Sequence, residues 1–252
     1  MCHCLLIETP GHGLVLVDTG FGLQDVRHPH DPPARMTRFM RHLINVRLRE
    51  EETAIRQIER LGFDPGEVRQ IVLTHMDFDH AGGLEDFPKA TIHVLDREFS
   101  AATGPQRGFF ARNRYRPAQW DALDNWRRYS GQGEPWFGFE AVRDLEGLPP
   151  EILLVPLPGH TWGHAGVAVQ HEAGWMLHAG DAYFYHGEMR HSQRRCTPGL
   201  RLYQTLLDTS REDRLANQAR LRALSVERAD EVRLFCAHDT LEFERWASGQ
   251  PL

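Results

Sequence analysis

Between Thr74 and Gly83 the chain reads THMDFDHAGG, directly after the apolar run Ile71-Val72-Leu73. Two histidines and two aspartates fall within positions 75 to 80, where a buried strand gives way to a loop. No other stretch constrains the fold as tightly. Side chains on alternate residues of an extended backbone share a face, so His75, Asp77 and Asp79 converge while Met76 and Phe78 turn to the core. His80 then swings in as the chain turns through Ala81-Gly82-Gly83, where glycine suits a tight turn. A merely solvated turn would account for this stretch alone. It would not account for three other strand ends.

Those ends repeat the chemistry. The apolar run Ile152 to Leu157 leads into Pro158-Gly159-His160, Trp175 to His178 into Gly180-Asp181, and Val232 to Cys236 into Ala237-His238-Asp239. Imidazole and carboxylate are the donors of zinc, iron or manganese, and one ion needs only three or four of them. Seven candidates, His75, Asp77, Asp79, His80, His160, Asp181 and His238, imply two ions. Two divalent ions about 4 Å apart hold a hydroxide between them and polarise the bond under attack.

The remaining segments supply a frame. Cys4 to Thr9 and Leu14 to Asp18 read as a hairpin around Pro10-Gly11-His12-Gly13, and Asp18-Thr19-Gly20 sets a carboxylate at a further strand end. Residues 51 to 62 and 211 to 224 carry helical apolar stripes, Leu215, Ala219 and Leu221 to Leu224 forming the inner face of the second. Further strands fall at Arg69 to Leu73, Thr91 to Leu95 and Gly166 to Gln170. Interleaved strands and helices with hairpins predict a mixed-sheet α/β (α+β) fold. The 252 residues suffice for one large domain or two small ones. A net charge of -6 and a pI near 6.2 argue against a nucleic-acid or anionic-membrane surface. No apolar run spans a membrane and no basic-then-apolar leader opens the chain, so the reading is cytoplasmic. The four cysteines are too scattered for a disulfide framework and read as free thiols.

THMDFDHAGG, PGHTWGH (158 to 164), HAGDA (178 to 182), CAHD (236 to 239) and the early LVDTG (16 to 20) resemble, in order, the motifs of the metallo-β-lactamase-fold hydrolases. The resemblance covers nearly the whole chain. It implies a four-layer αβ/βα sandwich with two mixed β-sheets, residues 1-252 as a single domain, and the metals in a cleft at one sheet edge. Carried over by position, His75, Asp77 and His160 hold one metal, Asp79, His80 and His238 the other, and Asp181 bridges them. Asp18 and Asp239 are expected to orient the metal-bound histidines.

One letter departs from the family's HxHxDH. Asp77 stands at the second ligand position, and its added negative charge makes iron or manganese stronger competitors of zinc, the family's usual ion. The alternative has Asp77 behind the ligands, with the first ion weakly held. Size and motif order bring the chain nearest to N-acyl homoserine lactonase-like hydrolases, with glyoxalase II-like enzymes next. Only residues 239 to 252 follow His238, too few for the helical substrate domain of the latter. The bridging Asp181 disfavours a true β-lactamase. The catalytic tyrosine of the lactonase group lies three residues after the bridging aspartate, and here that place is Phe184. Tyr183 and Tyr185 flank it as candidates for oxyanion stabilisation.

The expected activity is hydrolysis of an ester, lactone or thioester by a metal-bridging hydroxide, with Asp79 returning a proton to the leaving group. A phosphodiesterase, an iron-dependent dioxygenase or redox protein, and a metal-stabilised binding protein are the alternatives. Segments 31-50 and 105-140 mix aromatic and arginine side chains and read as a lid or as the contact of a homodimer. They suit a small-molecule substrate with an apolar body and an anionic end better than nucleic acid.

Overall fold

The computed structural model describes residues 2–29, 41, 45–106, 108–190 and 193–248. The chain divides into two compact units. The N-terminal unit comprises Cys2–Val94 and Phe99–Arg128, the C-terminal unit Leu95–Glu98 and the chain from Tyr129 onward.

The N-terminal unit contains β1 (Leu5–Thr9), β2 (Gly13–Val17), α1 (Leu23–Arg27), α2 (Ala54–Arg60), β3 (Val68–Val72), β4 (Thr91–Leu95), α3 (Asp96–Thr103), α4 (Phe109–Arg114) and β5 (Trp126–Tyr129), α3, β4 and β5 reaching its boundary. The strands form one sheet in the order β1-β2-β3-β4-β5. β1 and β2 are the antiparallel hairpin expected from Pro10-Gly11-His12-Gly13, whereas β2, β3 and β4 run parallel. Parallel strands are covered on both faces and therefore read as unbroken apolar runs. Leu14 to Val17 and Ile71 to Leu73 are such runs, and every one of these side chains is buried. Ile58 of α2 and Leu84, Phe87, Tyr115 and Trp120 complete that core. Met76 joins it, and Phe78 packs with Phe21 and Val46, so the two apolar residues of THMDFDH face inward as alternation requires.

The C-terminal unit contains β6 (Glu134–Trp136), β7 (Phe139–Ala141), β8 (Ile152–Pro156), β9 (Ala165–His171), β10 (Gly174–His178), α5 (Pro198–Leu207), α6 (Arg211–Glu227), β11 (Val232–Phe235) and α7 (Thr240–Ala247). Its four-stranded sheet runs β11-β10-β9-β8. β9 is antiparallel to both β8 and β10, and β10 is parallel to β11. Hence β8, β10 and β11 share one direction. Their carboxyl ends, which lead to His160, Asp181 and His238, lie along one edge of this sheet. Both sheets are mixed, as the fold class predicts.

Two expectations change. Helix α6 buries Leu221 and Leu224 of the expected stripe together with Arg214, Asn217 and Gln218, whereas Ala219 is exposed and Leu215 is 36% exposed. Its inner face is half polar because Arg214 and Gln218 meet buried acceptors. Within residues 105-140, expected as a lid or dimer contact, part of the aromatic content is core. Tyr115 and Trp120 lie in the N-terminal core, Trp136 and Phe139 in the C-terminal one, and Phe109 alone of these rings is largely exposed. The expected helix over 35–49 and most of the segment 31-50 lie outside the described residues.

Candidate metal centre

In the N-terminal unit the site is built where β2 and β3 end side by side. Val17 pairs with Val72, the Asp18 amide donates to the Val72 carbonyl at 3.1 Å, and the chain then departs from extended geometry. Asp18 takes φ 54, a left-handed conformation that Asp tolerates better than most residues. This turn aims its carboxylate across to β3. Oδ1 accepts the Thr74 amide at 2.8 Å, and Oδ2 accepts the Thr74 hydroxyl at 2.7 Å and His80 Nδ1 at 2.8 Å. Beyond Asp77 the backbone closes into a turn in which the His80 and Ala81 amides donate to the Asp77 carbonyl. Gly82 permits that turn, because a Cβ there would come within 2.8 Å of the Gly20 and Phe78 carbonyl oxygens.

These contacts fix two tautomers. A carboxylate only accepts, so His80 carries its proton on Nδ1 and keeps its Nε2 lone pair. The Thr74 hydroxyl spends its hydrogen on Asp18, so its oxygen accepts from His75 Nδ1 at 2.9 Å. His75 therefore also keeps Nε2 as an acceptor. Both rings are buried, 4.0 Å apart between centroids. His75 presents a ligand atom within 4.8 Å of one on Asp77 and of one on His80, and Asp79 does so toward His80. His75 Nε2 and Asp77 Oδ2 stand 3.5 Å apart.

The C-terminal unit brings its three candidates together by extending the parallel pair. The Ala179 amide donates to the Phe235 carbonyl and the Ala237 amide to the Gly180 carbonyl, which carries Asp181 and His238 forward in step. The two oxygens of Asp181 face different imidazoles. Oδ1 lies 3.1 Å from His238 Nε2 and Oδ2 lies 3.4 Å from His160 Nε2. His164 sets the backbone beneath: its Nδ1 donates to the Leu157 carbonyl at 3.1 Å and its Nε2 accepts the Asp181 amide at 2.8 Å. Phe184 lies flat on His238, centroids 5.4 Å apart, and edge-on to His160 at 5.7 Å.

Two polar networks hold these loops. In the first, Gln218 donates to the Ala182 carbonyl, Gln204 and the Phe184 amide donate to Glu188, and Asn217 donates to the Pro158 carbonyl. Arg214, fully buried, joins Asp208, Gln204 and Gln218. Gly159, at φ 139, packs so closely that a Cβ would collide with the Arg214 backbone. In the second, Glu242 accepts the Tyr183 hydroxyl at 3.0 Å and the Cys236 amide at 2.9 Å. Burial pushes the Glu242 carboxyl up to about 7, and burial together with the neighbouring Glu242 raises the Tyr183 phenol.

Several expectations are corrected by these contacts. Tyr183 is wholly buried with its hydroxyl on Glu242, so it braces the loop and does not present a phenol to a substrate. Tyr185 is half-buried beside His186. Asp18 does orient a candidate ligand, but Asp239 accepts from the His186 amide and ring and caps α7 through the Leu241 and Glu242 amides. The sequence does not single out Thr74 or Arg114, and it leaves His164 open between a supporting role and an ordinary core or rim histidine. Arg114 Nε lies 3.3 Å from Asp77 Oδ1, both side chains buried. Thr74 and His164 abut motifs and are foreseeable once the donors they serve are known. Arg114 carries no such signal.

The donor chemistry fits divalent cations. Two ligands about 2.1 Å from one tetrahedral ion stand roughly 3.4 Å apart. The imidazole–carboxylate separations within each unit, 3.5, 3.4 and 3.1 Å, match that spacing. Of these imidazoles His75 has its tautomer fixed to leave Nε2 open, as does the neighbouring His80, and carboxylates on the far nitrogens of metal-bound histidines are the usual supporting shell.

Comparison with known proteins agrees in kind. The profile of the Metallo-beta-lactamase superfamily matches residues 1–238. A probable metallo-hydrolase of Mycobacterium tuberculosis is 42% identical over 239 residues, 95% of this chain and 74% of that protein. An N-acyl homoserine lactonase of Bacillus thuringiensis is 28% identical over 172 residues, 67% of this chain and 58% of the relative. Among solved structures, the B. thuringiensis lactonase AiiA with N-decanoyl-L-homoserine bound at its active site superposes with a TM-score of 0.65 at 21% identity. That alignment covers 96% of this chain and 82% of the other, and shows a shared fold.

Proposed function

The chain belongs to the metallo-beta-lactamase superfamily, and on that premise we propose that it is a dinuclear metal-dependent hydrolase of carboxylic esters, with lactones the leading class and thioesters next. One observation carries the reading: the Asp181 carboxylate turns one oxygen to the His160 imidazole and the other to His238. A carboxylate shared between two imidazoles in this way would suit a bridging position between two ions. His75, Asp77 and His160 are assigned to one ion, Asp79, His80 and His238 to the other, and Asp181 to both. Zinc is the first expectation, with iron or manganese as competitors because Asp77 adds a carboxylate to the donor set.

Such a pair supplies, when bound, an acidified water as nucleophile and polarisation of the scissile carbonyl. The protein's own groups do the rest. Asp18 and Thr74 hold the His75 and His80 rings with Nε2 outward, and His164 fixes the backbone under Asp181. Asp79, half-buried where its neighbours are buried, takes up a proton and passes it to the leaving alkoxide. Tyr185 is the phenol assigned to the developing oxyanion. Relatives named N-acyl homoserine lactonase support a lactone with an apolar acyl chain.

The test is a panel of lactones, esters, thioesters and phosphodiesters run on wild type and Asp181→Ala. A lactone or ester should turn over in wild type and lose at least about a hundredfold in kcat in the variant. Undiminished turnover in Asp181→Ala would remove the bridge from the reaction, and turnover of phosphodiesters alone would reassign the substrate class.

A further inference from the structure

Arg114 meets the residue that distinguishes this chain from the family's usual motif. Its Nε lies 3.3 Å from Asp77 Oδ1, while Asp77 Oδ2 points to His75 Nε2 at 3.5 Å. One oxygen therefore faces the guanidinium at ion-pair distance and the other faces the imidazole. Asp77 is 7% exposed and Arg114 6%. A guanidinium is almost never buried to this degree unless paired, and a buried carboxylate needs the same compensation. The backbone reinforces the pairing. Arg114 is the last residue of α4, its carbonyl accepts the Phe78 amide at 3.2 Å, and Gln119 donates to the Phe78 carbonyl at 3.0 Å. Both peptide groups flanking Phe78 are therefore tied to residues 114–119, which fixes where the Asp77 side chain starts.

A histidine at position 77 would offer one donor atom and no net charge. An aspartate alone would offer two atoms and a full negative charge, a combination that favours hard, oxygen-seeking cations such as manganese over zinc. We propose that Arg114 makes Asp77 a histidine surrogate: it occupies Oδ1, leaves Oδ2 as the single donor, and cancels the added charge, so that the site keeps a preference for zinc. Arg114 is a positioning and specificity-determining residue, and this inference rests on Asp77 being a ligand as proposed above.

The substitutions form a closed cycle: Arg114→Met, Asp77→His, and the two together. Zinc and manganese affinities are measured by chelator competition on metal-stripped protein, with melting curves of the metal-free forms as a fold control. Arg114→Met should lower the zinc-over-manganese affinity ratio at least tenfold by freeing the second oxygen and the charge of Asp77. Asp77→His should weaken both metals at least tenfold, because Arg114 then faces the ion without the Asp77 carboxylate. The double variant should return both affinities to within about threefold of wild type, since neighbouring residues that share one role are strongly non-additive. If Arg114→Met does not fold, Asp77→His and the double variant still decide the matter. An unchanged ratio in Arg114→Met, or full-strength binding in Asp77→His, would reduce Arg114 to a structural strut. Wild type that binds no metal would instead defeat the assignment of the centre itself.

Discussion

Replacing Asp18 with asparagine tests how the N-terminal half of the centre is wired. Asparagine has the shape of aspartate and tolerates the left-handed φ of 54 at this position, so the backbone stays as it is. The Thr74 amide can only donate, so the asparagine oxygen must take the place of Oδ1. Its NH2 then replaces Oδ2 and points at the Thr74 hydroxyl and at His80 Nδ1. His80 can meet that donor only by moving its proton to Nε2, the nitrogen assigned to the metal. The Thr74 hydroxyl turns to accept as well, and its hydrogen now points at His75 Nδ1, which drives that ring to the same wrong tautomer. A hydrogen bond to a charged group contributes about 1.5–3 kcal/mol. Loss of such a support costs metal affinity about 10- to 100-fold, or roughly 1.4–2.8 kcal/mol, so the two scales agree. Asp18→Asn should therefore bind zinc at least about tenfold more weakly in chelator competition, while the metal-free protein loses about 2 kcal/mol, a fall of roughly 4–8 °C in Tm. Zinc affinity within threefold of wild type would refute the tautomer argument, whatever the melting temperature does.

Two further predictions use the C-terminal unit. Glu242 titrates near 7 in the folded chain because of burial, against an ordinary 4.5, so the folded state retains a proton that the unfolded chain releases between those values. Its contribution is complete below pH 4.5 and is lost as pH rises toward 7. Relative to Glu242→Gln, wild type should therefore weaken by up to about 3 kcal/mol across that window, read from denaturant melts at several pH values. Parallel pH curves for the two proteins would contradict the assignment. Burial lowers His93 to about 4 and gives an opposite slope, but both proteins carry it and it drops out of the comparison. Phe184 lies flat on His238 at the place where the lactonase group carries its catalytic tyrosine. Phe184→Tyr adds a phenol beside the donor set and should raise kcat on a lactone several-fold with little change in KM, given that one oxyanion donor contributes about a hundredfold or more in kcat. A lower kcat would mean that the ring serves only to pack the two imidazoles.

The fold was legible in the sequence because it follows from local rules, and the same rules set the proposed donors at strand ends. Unbroken apolar runs marked β2, β3, β8 and β10 to within about two residues, and each ended in the residue types that bind cations. What escaped was held by distant partners. Arg114 reads as one arginine among many in a mixed aromatic stretch, and only the tertiary fold sets it beside Asp77. Helix α6 was read by its leucines, yet Arg214 and Gln218 face inward because Gln204, Asp208 and the Ala182 carbonyl await them. Tyr183 and Tyr185 are adjacent-but-one in sequence, and only burial against Glu242 separates their roles. The hairpin β6–β7 has strands of only three residues each, too short for alternation to stand out in the sequence.

On the proposed function, two divalent ions held by His75, Asp77, Asp79, His80, His160, Asp181 and His238 carry out hydrolysis. The most direct test is to strip the protein of metal, return zinc in measured equivalents, and follow hydrolysis of the best lactone or ester from the panel. Activity should rise to a plateau at two ions per chain, and Asp181→Ala should not reach that plateau at any ratio. A plateau at one ion, or full activity in the metal-free protein, would contradict the account.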